Sequence, residues 1–136
     1  MGRELLNPAG LHPAPGFSHV AIATGSKLVC FAGQVALDPE FNIVGPGDLR
    51  AQTVAAMRNV EVALNEVGAA WDDIVRRTVY TTMPTEYETI TSGIDEVTGG
   101  AGHPAQTILG VTGLAVDGLL VEIVPGVRIA VSGRAE

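Results

Sequence analysis

Two stretches carry side chains whose type and setting could do chemistry. The first is His103-Pro104-Ala105-Gln106-Thr107, which follows a glycine-rich break (Gly99, Gly100, Gly102) and opens into an apolar strand-like run. Pro104 fixes its own φ and biases His103 toward an extended shape, so His103 and Gln106 are expected at a rigid strand mouth. The second is Glu122, a carboxylate inside the apolar run Leu119–Val131. An unpaired carboxylate in such a setting is costly, so it needs a structural partner or a task. His19 and His103 could approach one cleft, but no third ligand accompanies them and no metal is expected. Cys30 sits inside a strand with no base beside it and reads as a structural thiol. The glycines at 99–102 lack the lysine and hydroxyl spacing of a phosphate loop.

The elements that must position these residues are legible from periodicity. His19–Thr24 and Leu28–Ala32 flank Gly25-Ser26 and predict a β-hairpin. Residues 48–67 predict the longest helix: Asp48 is its N-cap, Val54, Met57, Val60, Leu64 and Val67 line one face, and Gly68 ends it. Trp71 anchors its far end, and Asp72 or Asp73 caps a short turn. Ile74–Thr82 reads as a strand, with Val75, Arg77, Val79 and Thr81 on one parity. A second helix starts near Pro84 and presents Tyr87, Ile90, Ile94 and Val97. Thr107–Thr112 and Leu119–Val131 are the last strands, with a bulge or bend at Pro125-Gly126. Residues 1–16, rich in proline, read as an arm laid on the surface.

The resulting order is β-β-α-β-α-β-β in one α+β domain over residues 1–136: a mostly antiparallel sheet with two helices on one face. Several strands are apolar on both parities, so the uncovered face should meet another subunit in a closed oligomer. The 136 residues carry 8 basic and 15 acidic side chains, a net charge of −7. That balance argues against a nucleic-acid surface. The single cysteine excludes an internal disulfide, and the absence of a signal-like or membrane-spanning run makes the cytoplasm the expected location.

Several segments in combination resemble the RidA (YjgF/YER057c/UK114) family. They are Gly16-Phe17-Ser18-His19, Ala32-Gly33-Gln34-Val35, Pro104-Ala105-Gln106-Thr107 and Val121-Glu122-Ile123, with the helix from Gln52 to Gly68 leading into Asp73–Tyr80. The resemblance implies a chorismate-mutase-like subunit assembled as a homotrimer, with small-molecule clefts between subunits and no cofactor. It also implies hydrolysis of reactive 2-imino or 2-enamino acids to 2-keto acids and ammonia. In that pattern an arginine after Pro-Ala binds the substrate carboxylate, and this sequence has Gln106 instead. Phe17 replaces a tyrosine, His19 a glutamine and Ala32 a serine, while Thr91 takes the place of a cleft asparagine. Glu122 is retained as the acid or water-orienting group. Arg128, near the end of the last strand, is the alternative cation for the carboxylate. The expected activity is therefore RidA-type hydrolysis or deamination of an imine, enamine or related C–N compound. The alternatives are a non-catalytic binding or regulatory protein on the same scaffold, and an ordinary 2-iminobutanoate/2-iminopropanoate deaminase.

Overall fold

The computed structural model describes residues 3–129, without the side chains of Arg128 and Ile129. The chain runs β1 (Arg3–Leu6), β2 (Val20–Ala23), β3 (Lys27–Cys30), β4 (Gln34–Val35), α1 (Leu49–Glu66), a 3₁₀ turn (Trp71–Asp73), β5 (Ile74–Thr81), α2 (Tyr87–Thr98), β6 (Ala105–Gly110) and β7 (Val121–Ile129). The main sheet has the order β3-β7-β5-β6, with β4 also paired to β7. All its pairs are antiparallel except β5/β6. That exception follows from topology: α2 crosses over between β5 and β6, and a helical crossover returns the chain parallel.

Both helices pack on one face of this sheet. Met57, Val60 and Leu64 of α1 and Ile90, Ile94 and Val97 of α2 close on Val79, Val121, Ile123 and Val127. Side chains alternate across a strand, so Val79 and its partner Ile123 face the helices. Tyr80 and its partner Glu122 face the other way. Leu28, 67% exposed, and Leu109 are solvent-facing apolar residues of this sheet. This is the uncovered apolar surface that the two-parity pattern anticipates.

The helix ends follow their local chemistry. Asp48 Oδ1 accepts from the Ala51 amide at 3.0 Å, and the chain turns out of α1 through Gly68 at φ +69°. Gln52, fully buried on α1, donates to Gly45 O and Gly118 O and accepts from the Leu120 amide. It thereby fastens two loops beside the start of β7.

Three expectations need correction. Residues 20–30 do not form a hairpin: β2 pairs with β1, from Arg3↔Ala23 to Leu6↔Val20, while β3 pairs with β7. The arm is consequently part strand. Arg3 locks it down by donating to Ile74 O and Gly102 O, both at 2.6 Å. The second helix starts at Tyr87 rather than Pro84. Pro84 occupies the preceding turn, against Gly110, where an added Cβ would lie 2.8 Å from its ring. The bulge lies opposite Gly126, but the extra residue is Val75 on β5, between the pairs Ile74↔Val127 and Arg76↔Gly126. The stretch 130–131 of the last predicted strand lies outside the described residues. Among the described residues no helix is long and apolar enough to cross a membrane.

Candidate functional site

A pocket of about 410 Å³ opens where the proline-rich N-terminal segment crosses α2 and the edge strand β6. Its walls include His12, Phe17, Tyr87, Thr91, Gln106 and Ile108. The N-terminal wall is stitched to the strand mouth: the Ser18 amide donates to Pro104 O at 3.0 Å, and Ser18 Oγ donates to His103 O at 2.6 Å. Gly16 makes this crossing possible. Its φ is +80°, and a Cβ there would sit 2.6 Å from Thr91 Oγ1, so only glycine passes this close to α2. Phe17, Thr91 and Gln106, three of the substrate-side positions expected from sequence, thus share one pocket.

His19 is near this wall but outside the pocket lining. Its ring packs edge-on against Phe17 (5.2 Å between centroids) and His12 (4.7 Å), and its Nε2 donates to His12 O at 2.8 Å. Those contacts make His19 a support for two residues that line the pocket. His12, expected only as part of the arm, is itself a wall.

Behind Gln106 lies a residue that the sequence reading did not single out as functional. Arg77 on β5 is the direct strand partner of Gln106 on β6 and only 3% exposed. Its Nε donates to Gln106 Oε1, and its Nη2 donates to Gly16 O at 3.1 Å and His103 Nδ1 at 3.0 Å. A guanidinium has no acceptor, so His103 Nδ1 must be unprotonated and its proton must sit on Nε2. Nε2 lies 3.0 Å from Asp95 Oδ1 on α2. Burial brings the Arg77 pKa down to about 10, with Arg3 acting in the same direction and Asp95 opposing. Arg77 therefore remains a cation at neutral pH. Burial and the Arg77 charge also hold the His103 imidazole below its ordinary range, against the pull of Asp95. The available signal was parity: Arg77 shares a strand face with Val79 and Thr81, both fully buried.

Glu122 belongs to a second locus. It pairs with Tyr80 on the sheet face away from the helices, whereas Arg77 and Gln106 are on the helix side. Its carboxylate lies over Gly33, where an added Cβ would come within 2.1 Å of Glu122 Oε2. Ala32, next to Gly33, accepts through its carbonyl from Gln34 Nε2 at 3.3 Å. The single chain therefore does not join Glu122 and Ala32 to the pocket of Phe17, Thr91 and Gln106. The two groups of residues lie on opposite faces of one sheet. The side chain of Arg128 is outside the described residues. Among the described residues no three His, Cys, Asp or Glu side chains gather as a metal site.

The comparisons agree with this architecture. The family model described as endoribonuclease L-PSP matches residues 8–129. A RutC family protein of Synechocystis is 33% identical over 113 residues, covering 82% of this chain and 85% of that protein. A RutC family protein of Pyrococcus abyssi is 31% identical, covering 74% and 77%. Among solved structures, a Rid family protein of unknown function, YyfB from Yersinia pestis, superposes with a TM-score of 0.88. It is 32% identical, with 95% of this chain and all of that one covered. A YjgF/YER057c/UK114 member from Mycobacterium tuberculosis gives a TM-score of 0.64 at 26% identity, covering 94% and 100%. The chain belongs to the RidA (YjgF/YER057c/UK114) family. Its α+β fold is that of the chorismate-mutase-like superfamily.

Proposed function

We propose that this protein is a small-molecule hydrolase of the deaminase type, acting on an imine, enamine or related C–N compound in clefts between the subunits of a homotrimer. The observation that carries the reading is the division of the site. Phe17, Thr91 and Gln106 line a pocket on the helix side, while Ala32, Gly33 and Glu122 lie on the opposite face. A neighbouring copy can bring its Glu122 locus to the mouth of this pocket. RidA family proteins are typically homotrimers with clefts between subunits, and the uncovered apolar sheet face supplies a surface for such packing.

In that cleft Gln106 and Thr91 hold the substrate and Phe17, Tyr87 and Ile108 exclude water from its apolar part. Glu122 of the adjacent copy orients a water and accepts a proton as the oxygen attacks the C=N carbon. Proton return to nitrogen, then C–N cleavage, releases ammonia and leaves a carbonyl: one imine and one water give one carbonyl compound and one ammonia. No cofactor enters this balance. Gln106 would meet a substrate carboxylate with a neutral amide where the family pattern has a guanidinium, which disfavours ordinary 2-imino-acid deamination. RNA is not the proposed substrate, because a chain of net charge −7 is a poor partner for phosphates. A cytoplasmic location is part of the same proposal.

The test is a coupled assay with freshly generated 2-iminopropionate and 2-iminobutyrate beside uncharged imines of similar size, using wild type and Glu122→Ala. Expected are weak turnover of the acids, higher turnover of an uncharged imine, and loss of both in Glu122→Ala. Fast wild-type turnover of 2-iminobutyrate would make this an ordinary deaminase. A neutral Gln106 at the position of the family's arginine also favours a second reading, a non-catalytic binder. It would be shown by ligand binding without turnover that Glu122→Ala leaves unchanged.

A further inference from the structure

We propose that Arg77 is a positioning residue that locks Gln106 donor-first into the pocket, and that the Arg77–Gln106 pair selects an uncharged carbonyl or imine acceptor over a carboxylate. The inference rests on assigning ligand binding to the Gln106 pocket. It concerns why position 106 can work as glutamine and what that makes the pocket accept.

The amide orientation follows from donor counting. Arg77 Nε can only donate, so the Gln106 atom facing it is Oε1. Gln106 Nε2 is then the other end of the amide, on a residue that lines the pocket, and it has no hydrogen-bond partner among the described residues. Arg77 cannot turn to the ligand itself. It is held by Gly16 O and His103 Nδ1, with His103 backed by Asp95. No carboxylate among the described residues forms a direct ion pair with Arg77. The cation instead polarises the Gln106 carbonyl and sharpens its N–H donors. A ligand therefore meets one well-aimed neutral donor between apolar walls. A carbonyl oxygen or imine nitrogen is satisfied by that donor, whereas a carboxylate entering the same space loses its hydration for one amide contact.

The same geometry forbids the simplest restoration of a charged grip. Arginine at 106 alone would bring two donor-only guanidiniums together on adjacent strands, with no acceptor between them. The two positions must change together.

The experiment measures binding, not turnover, by NMR titration of the full-length protein with pyruvate and its neutral isostere pyruvamide. The Gln106 side-chain NH₂ signals, identified by their loss in Gln106→Met, provide the local readout. Wild type is expected to prefer pyruvamide by about tenfold, with those NH₂ signals shifting on binding. Gln106→Arg should gain little for pyruvate, while the transposed protein Arg77→Gln/Gln106→Arg should prefer pyruvate. Gln106→Glu keeps Arg77 paired and replaces the pocket donor by an acceptor, so even where the transposed protein does not fold it should fold and lose affinity for N,N-dimethylpyruvamide, a neutral probe with acceptors and no N–H donor that wild type should bind. The proposal is overturned if wild type binds neither probe, binds pyruvate as well as pyruvamide, or gains as much pyruvate affinity from Gln106→Arg as from the transposition. It is also overturned if Gln106→Glu binds N,N-dimethylpyruvamide as tightly as wild type. Failure of the hydrolase reading would appear separately, as the intact binding preference without turnover of any imine.

Discussion

The two faces of the main sheet treat their polar groups in opposite ways. On the helix side, Arg77 is enclosed and its contacts are met locally by Gln106, Gly16 and His103. On the other side Glu122 stands over a glycine on a face that the chain's own helices leave uncovered. The enclosed cluster can be complete in one chain, and its geometry is fixed by strand register. In the proposed function, the Glu122 locus acts together with the copy that packs against that face. On the proposed function, recognition is built into the fold and chemistry into the assembly.

The sharpest way to break this contrast is at Glu122. Glu122→Ala should lower turnover of an uncharged imine by roughly 100-fold or more, the scale of a lost acid–base group, while pyruvamide binding to the Gln106 pocket changes little. Gly33→Ala reaches the same end indirectly. Its new methyl would occupy the space of Glu122 Oε2 and should displace the carboxylate with comparable loss. A Gly33→Ala protein of full activity would show that the carboxylate position does not matter. Steady-state kinetics beside sedimentation analysis separates lost chemistry from lost assembly.

On the enclosed side the expected effect is on stability. Arg77→Met leaves Gly16 O, Gln106 Oε1 and His103 Nδ1 without their donor, and one buried unsatisfied acceptor alone costs about 1–3 kcal/mol. Relief of the desolvated charge offsets part of the loss. A net destabilisation of about 2 kcal/mol is expected from urea unfolding. Gly93→Ala should cost a similar amount for a different reason. The added Cβ meets Thr53 Cβ and Cγ2 at 2.9 Å where α2 crosses α1, an overpacking of about 1–3 kcal/mol. Its ligand preference should remain wild type, since Arg77 and Gln106 are untouched.

How much of this was readable in advance divides along local and long-range lines. The cap at Asp48, the α1 stripe of Met57, Val60 and Leu64, and the α2 stripe of Ile90, Ile94 and Val97 are local periodicities, and they appear as expected. The local turn signal at Gly25-Ser26 predicts a β2–β3 hairpin, but β1 and β7, distant in sequence, take the two strands instead. The Gln106 pocket is half legible: Gln106 follows from its place at the strand mouth and Phe17 and Thr91 from the family resemblance, but their separation from Glu122 depends on which sheet face each strand presents. Arg77 became visible only when β5 and β6 were placed in register. A charged residue at a buried strand parity was the clue, and an arginine there asks for partners that only the fold can name.

The smallest expected effect concerns the relay from Arg77 through His103 to Asp95. The folded state holds the His103 pKa below its unfolded value, chiefly by burial and then by the Arg77 charge. Between the two pKa values the unfolded chain binds more protons, so stability rises with pH. This contribution is complete above the ordinary histidine range, near pH 6.5, and is lost as pH falls from there toward the lowered folded pKa. Protonation would also put a hydrogen on Nδ1, where Arg77 Nη2 now donates, so the Gln106 lock should loosen over the same range. His103→Gln can accept from Arg77 and donate to Asp95 without titrating. Urea unfolding from pH 7.5 to 5 should therefore show a shallower fall in stability for His103→Gln than for wild type. The Gln106 NH₂ signals should hold their position in the variant while they drift in wild type. Equal slopes and equal drifts would detach His103 from the lock and leave Gly16 O as the anchor that fixes Arg77.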